Sequence, residues 1–92
     1  MESKLNYMVN QDYDLNNLKD YGFYKTQPKE NPWWQNPLTI DHTNGLGFYV
    51  ESLSINKNTR EIFVDIEDGF KAEKYLELID RMIENDVLKE CW

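Results

Sequence analysis

The chain contains one cysteine, one histidine, four glycines and three prolines, and it sets ten basic residues against seventeen acidic ones. Each shortage excludes something. A disulfide framework needs at least two cysteines, so Cys91 reads as an incidental thiol in a reducing compartment. His42 has neither the paired nucleophile of a catalytic dyad nor the further ligands of a zinc site, and Asp41 and Cys91 are poor material for either. The glycines, Gly22, Gly45, Gly47 and Gly69, are all explained by caps and turns, which leaves no glycine-rich phosphate cradle. No apolar run approaches the ~20 residues that span a bilayer. Met1-Glu2-Ser3-Lys4 does not lead into the apolar core of a signal peptide. The expected compartment is the cytoplasm.

What is present is enough for one core. A chain of 92 residues, 40% hydrophobic and 14% aromatic, is expected to form a single domain spanning residues 1–92 rather than a disordered tail. The net charge of −7 is unevenly placed. Residues 61–92 hold ten acids and four bases, whereas residues 1–60 are close to neutral. Phosphate backbones are bound by clustered Lys and Arg, so direct nucleic-acid binding is not expected. A one-signed surface does steer oppositely charged proteins, and a partner with a basic surface fits it.

Residues 70–84 carry the strongest helical period. Ala72, Tyr75, Leu76, Ile79, Met82 and Ile83 fall on one broad arc, with Leu78 at its margin, as expected of a long amphipathic helix lying on a core. Glu73, Glu77, Asp80 and Glu84 form a narrow stripe on the opposite side. Asp68 is the expected N-cap, with Gly69 at the start, and Asn85 the expected left-handed close, after which Val87 and Leu88 resume as a short extended tail.

The remaining chain reads as strands and one short helix. Leu5, Tyr7 and Val9 alternate like a strand, while Leu5, Met8 and Val9 fit a helical turn, and the pattern does not choose between them. Asp14 caps a short helix in which Leu15, Leu18 and Tyr21 share a face and Gly22 supplies the stop. Strands are expected at about 23–26, 38–42, 47–55 and 60–66. Pro28 and Pro32 interrupt the chain after the first of these, and Trp33-Trp34 follow in a loop. Asn44-Gly45 is a type I′ hairpin signal. Leu53 and Ile55 restart the apolar pattern on the opposite parity from Phe48 and Val50, which calls for a bulge near Ser52. Ile62, Val64 and Ile66 face inward while Glu61, Phe63 and Asp65 alternate outward. The expected fold is therefore α+β: an antiparallel four-stranded meander sheet, a short N-terminal helix and a long C-terminal amphipathic helix packed on one face.

Two features are candidate partner-binding sites. The first is the acidic stripe Glu73, Glu77, Asp80 and Glu84. Its plain reading is a solvated face supported by a Glu77–Arg81 pair at i, i+4. Like charges crowded along a helix nevertheless destabilise it slightly, so the row exceeds what solubility needs and suits a basic groove, imitating the charge of a nucleic acid. The second is Trp33-Trp34. Adjacent tryptophans in an extended segment point to opposite sides, so at most one is readily buried in the core and the other either covers a sheet edge or stands as an exposed interface anchor. With Tyr24, Tyr49 and Phe63 it would form an aromatic patch. Asp65, Glu67 and Asp68 only faintly echo a calcium loop, and helix capping explains Asp68 more simply. No metal site, cofactor or catalytic constellation is expected, and an enzyme is not the expected class.

Three stretches carry a resemblance: Asp14-Leu15-Asn16-Asn17-Leu18-Lys19-Asp20-Tyr21-Gly22-Phe23, Asn58-Thr59-Arg60-Glu61-Ile62, and Leu78-Ile79-Asp80-Arg81-Met82-Ile83-Glu84-Asn85-Asp86-Val87-Leu88. Together they resemble the small proteins encoded by phages and mobile elements of low-GC Gram-positive bacteria. That resemblance implies an accessory protein that binds a host protein in a bacterial cytoplasm, a context that includes anti-CRISPR and other anti-defence inhibitors. The expectation is a small acidic protein-binding inhibitor. The alternative is a structural or self-assembling homo-oligomeric accessory protein.

Overall fold

The computed structural model describes residues 2–26, 33–41, 48–67 and 73–91. Six strands form one antiparallel sheet: β1 (Glu2–Val9), β2 (Tyr24–Lys25), β3 (Trp33–Asp41), β4 (Phe48–Asn56), β5 (Glu61–Ile66) and β6 (Leu88–Glu90). A 3-10 helix, Leu15–Tyr21, follows β1, and one α-helix, α1 (Lys74–Glu84), lies between β5 and β6. The sheet order is β2-β3-β4-β5-β1-β6. The meander of four consecutive strands, β2 to β5, is thus one end of a larger sheet that continues through β1 to β6, and the four-stranded fold expected from sequence is corrected to six. The long C-terminal helix is corrected as well, since α1 has only 11 residues.

Local chemistry accounts for much of this. Asp14 sits in extended backbone and its carboxylate accepts the Asn16 N–H at 2.9 Å, while Gly22 closes the 3-10 helix at φ 93°. Without a Cβ, Gly22 also lets the Asn36 amide approach, because a Cβ there would stand 3.2 Å from Asn36 Nδ2. Asn36 uses that nitrogen to donate to the Tyr21 carbonyl at 2.8 Å, which ties the 3-10 helix to β3. At the end of α1 the left-handed residue is Asp86 (φ 58°), not Asn85.

The parity change in β4 has a physical site. The β3–β4 register shifts on both sides of Thr39, so that Val50 and Glu51 are consecutive yet both buried. Glu51 thereby joins Leu53 and Ile55 on the inner face. Pro37 lies beside the shift and beyond the short β2, the sort of strand position that tolerates a missing N–H.

The core fills the space between this inner face and the helices. Val9, Leu18, Phe23, Trp34, Leu53, Ile55, Ile62 and Val64 pack with Leu78, Ile79 and Met82 of α1 and with Val87 and Leu88. Burying each of the three α1 side chains contributes about 1.5–3 kcal/mol, which offsets the weak intrinsic stability of so short a helix. Trp33 and Trp34 belong to β3 and not to a loop, and Trp34 pairs with Lys25 and Ile55. Asn44-Gly45, His42, Pro28, Pro32, Asp68 and Gly69 lie outside the described residues.

Candidate protein-binding surface

α1 carries the candidate surface. Its core side is Leu78, Ile79 and Met82, with Tyr75 half-buried, so the helix is turned from the orientation expected from its sequence. Leu78 moves from the margin to the core. Leu76 and Ile83, expected inside, stand 49% and 37% exposed. Glu73, Glu77, Asp80 and Glu84 are all exposed along the outer side. Arg81, the expected partner of Glu77, has its guanidinium carbon 5.7 Å from the centroid of the Tyr21 ring. Asn85 Nδ2 donates to the Tyr21 hydroxyl at 2.9 Å. One flank of α1 is thus fastened to the 3-10 helix, and its carboxylates are left without that cation.

The N-terminus of α1 is held from a distance. Its N-cap residue, Glu73, makes no side-chain cap hydrogen bond. The Tyr75 N–H donates instead to Glu51 Oε2 at 2.8 Å, and Glu51 Oε1 accepts the Thr39 hydroxyl at 2.9 Å. A buried carboxylate from the sheet therefore satisfies one of the orphan donors of the helix and complements its dipole. Sequence reasoning missed Glu51. Its signal was present, because Glu51 shares parity with Leu53 and Ile55.

The other flank of α1 borders a cleft of about 280 Å³ between Leu5 and Tyr7 of β1 and Tyr75, Leu76 and Ile79 of the helix. Lys4, Asn6 and Glu90 complete its lining. The Lys4 ammonium is held by Glu61. The hydrogen bond and charge of Glu61 raise the Lys4 pKa, and the hydrogen bond from Lys4, followed by one from Thr59, lowers that of Glu61.

The two candidate features are not brought together. Trp34 is buried in the core on the side covered by α1. Trp33 stands on the opposite face of the sheet, half-buried, in an edge-to-face contact with Phe63 at 5.5 Å between centroids. The intervening strand offers only Ser54 and Asn56 at this level, and those short side chains let the two rings meet across it. Lys25, Lys57 and Arg60 line a second cleft together with Asp14, Leu15, Asn16 and Trp34, and the Arg60 guanidinium donates to the carbonyls of Asn10 and Tyr13 at 2.6 and 2.9 Å.

Among the described residues no group of three or more His, Cys, Asp or Glu is placed to hold a metal ion, and no helix is long and apolar enough to cross a membrane. The chain matches no protein-family model, no curated protein and no solved structure.

Proposed function

We propose that this chain is a non-enzymatic protein that binds a basic surface of another protein through the outer side of α1. The observation that carries this reading is the exposure of Glu73, Glu77, Asp80 and Glu84 along one side of a helix whose nearest arginine is held over Tyr21. The stripe spans about 16 Å at ~1.5 Å rise per residue. Its charge density is a few times lower than that of duplex DNA, which carries one charge per ~1.7 Å of axis. A discrete patch of Lys and Arg on a protein therefore fits it better than a full nucleic-acid channel does. In the phage context that the resemblance implies, the fitting partner belongs to a host defence system and the chain acts as its inhibitor.

The test is a parallel capture from a Gram-positive bacterial lysate with the native chain and a Glu77→Lys/Asp80→Lys variant, followed by quantitative mass spectrometry. A basic protein retained by the native chain, released by salt and lost from the folded variant supports the reading. Equal capture by both removes the stripe from it.

A second reading, self-association through the sheet face opposite α1, draws on the half-exposed Trp33–Phe63 pair. Sedimentation at tens of micromolar separates the two, since a strict monomer counts against self-association.

A further inference from the structure

A chain with a net charge of −7 gathers three of its cations at one place. Lys25 of β2 and Lys57 and Arg60 of the β4–β5 turn line a cleft of about 300 Å³, and among the described residues around it the one acid is Asp14. The Asp14 carboxylate accepts the Asn16 N–H, and neither lysine forms an ion pair with a described residue. Three cations and one carboxylate leave a local excess of two positive charges, assembled from segments far apart in the chain.

The turn that presents two of these cations is shaped for them. Asn56 Oδ1 accepts the N–H groups of Asn58 and Thr59 at 2.8 and 3.1 Å, and the Arg60 N–H donates to the Asn56 carbonyl at 2.8 Å. Arg60 closes the turn at φ 64°, a conformation that glycine adopts without strain, so its side chain serves a purpose that the turn alone does not require. Part of that purpose is structural, since Nη1 donates to the carbonyls of Asn10 and Tyr13. A guanidinium has five N–H donors, and those on Nε and Nη2 have no acceptor among the described residues. The carbonyl bonds hold the group in place, which preorganises the remaining donors for a ligand. Lys25 stands on an edge strand, where a lysine also discourages pairing with another chain. That duty needs no second and third cation beside it.

We propose that this cleft binds a small phosphate monoester that carries an apolar or aromatic group. Such a phosphate bears about −1.5 to −2 charges near neutral pH, which matches the local excess, whereas a carboxylate bears one. Lys25, Lys57 and Arg60 hold the phosphate, while the half-buried Leu15 and the indole of Trp34 make an apolar wall for the rest of the molecule. The volume lies at the low end for small-molecule sites and takes a mononucleotide better than a polymer. A longer polyanion would pass from the cleft onto a chain whose net charge is negative. No residue of α1 lines the cleft, so the site goes beyond the acidic-helix reading and stands independently of it.

The probe is adenosine monophosphate, titrated into the full chain and followed by amide and indole chemical shifts, with inorganic phosphate and adenosine as its two halves. The nucleotide is expected to saturate in the sub-millimolar range with shifts at Asn16, Lys25, Lys57, Arg60 and the Trp34 indole. Phosphate should bind the same residues more weakly, and adenosine should not saturate. Lys25→Gln/Lys57→Gln changes two exposed side chains, so the fold is kept, as circular dichroism verifies, and the nucleotide should bind at least about tenfold more weakly. Lys74→Gln/Lys89→Gln removes the same charge outside the cleft and should leave affinity within about twofold.

Failure of both the nucleotide and phosphate to shift these residues at millimolar concentration overturns the proposal. Adenosine binding as tightly as its monophosphate overturns it as well, because the cations then contribute nothing, and so does phosphate binding as tightly, because the apolar wall then has no role. Equal loss in the two lysine pairs marks unspecific attraction and overturns the site. An oligothymidylate that saturates the same residues more tightly than the nucleotide assigns the cleft to a nucleic-acid strand and overturns the small-molecule reading.

Discussion

The carboxylate of Glu51, in the middle of β4 and fully buried, accepts the backbone N–H of Tyr75 at 2.8 Å and so caps α1 from the sheet. Helix capping is ordinarily local, by a side chain one to three residues away. Here the cap is supplied from 24 residues earlier in the chain. The position of α1, and with it the acidic stripe and the cleft, depends on this contact.

Removing it should be costly. Glu51→Ala leaves the Tyr75 N–H and the Thr39 hydroxyl without their acceptor, which is expected to destabilise the chain by about 3 kcal/mol. Glu51→Gln keeps one acceptor oxygen and should cost about 1 kcal/mol. Urea denaturation measures both, and equal effects would show that the oxygen kept by glutamine contributes nothing to holding the helix.

Gly22→Ala is expected to cost about 1–2 kcal/mol, because a side chain is disfavoured at φ 93°. The new methyl also crowds Asn36, whose amide holds the Tyr21 carbonyl. An unchanged thermal midpoint would mean that the turn relaxes freely. The caps at the two ends of the 3-10 helix were legible in the sequence, since Asp14 and Gly22 bracket it as their chemistry requires.

The two tryptophans should separate in stability. Trp34→Ala empties a core position that is 7% exposed and is expected to cost about 3–5 kcal/mol. Trp33→Ala loses mainly the edge-to-face contact with Phe63, about 1 kcal/mol. Comparable losses in chemical denaturation would place Trp33 in the core as well.

The Lys4–Glu61 pair gives a pH signature. The hydrogen bond from Lys4 lowers the Glu61 pKa in the folded chain, so the pair's contribution is present above the unfolded carboxylate value and is lost as pH falls through the folded one. Lys4 is raised above its ordinary 10.5, mainly by the Glu61 hydrogen bond, so at the alkaline end the contribution is complete below that value and lost as pH rises through the folded one. In Lys4→Gln the Glu61 carboxyl is expected to titrate at higher pH than in the native chain, by carbon-detected NMR. Lys4 is exposed and Glu61 only half-buried, so global stability should barely change.

The elements that sequence reading mistook fail for identifiable reasons. β1 was ambiguous because Leu5, Met8 and Val9 also fit a helical turn, whereas in the structure Leu5, Tyr7 and Val9 all lie on the core side with the two-residue period of a strand. The N-terminal part of β3 was hidden by prolines on both sides of the tryptophans, although Trp33 is clasped by Thr26, which accepts its N–H at 3.1 Å and donates to its carbonyl at 2.8 Å. β6 has only three residues, and its strand state depends on β1 beside it.

The sequence by itself determined the local features: the caps at Asp14 and Gly22, the alternation that turns Ile62 and Val64 inward, the amphipathic period of α1 and the one-signed charge on its outer side. These follow from backbone conformational preference and from a period of two or 3.6 residues, which need no distant partner. Only the tertiary structure decided how far the sheet extends, which side of α1 is buried, and where each tryptophan goes. Strand pairing at the sheet edges is long-range. The rotation of α1 was set by Glu51 holding its first turn, Tyr21 taking Arg81, and the core closing over Leu78. Leu76 was thereby left exposed beside the carboxylates, at the mouth of the cleft.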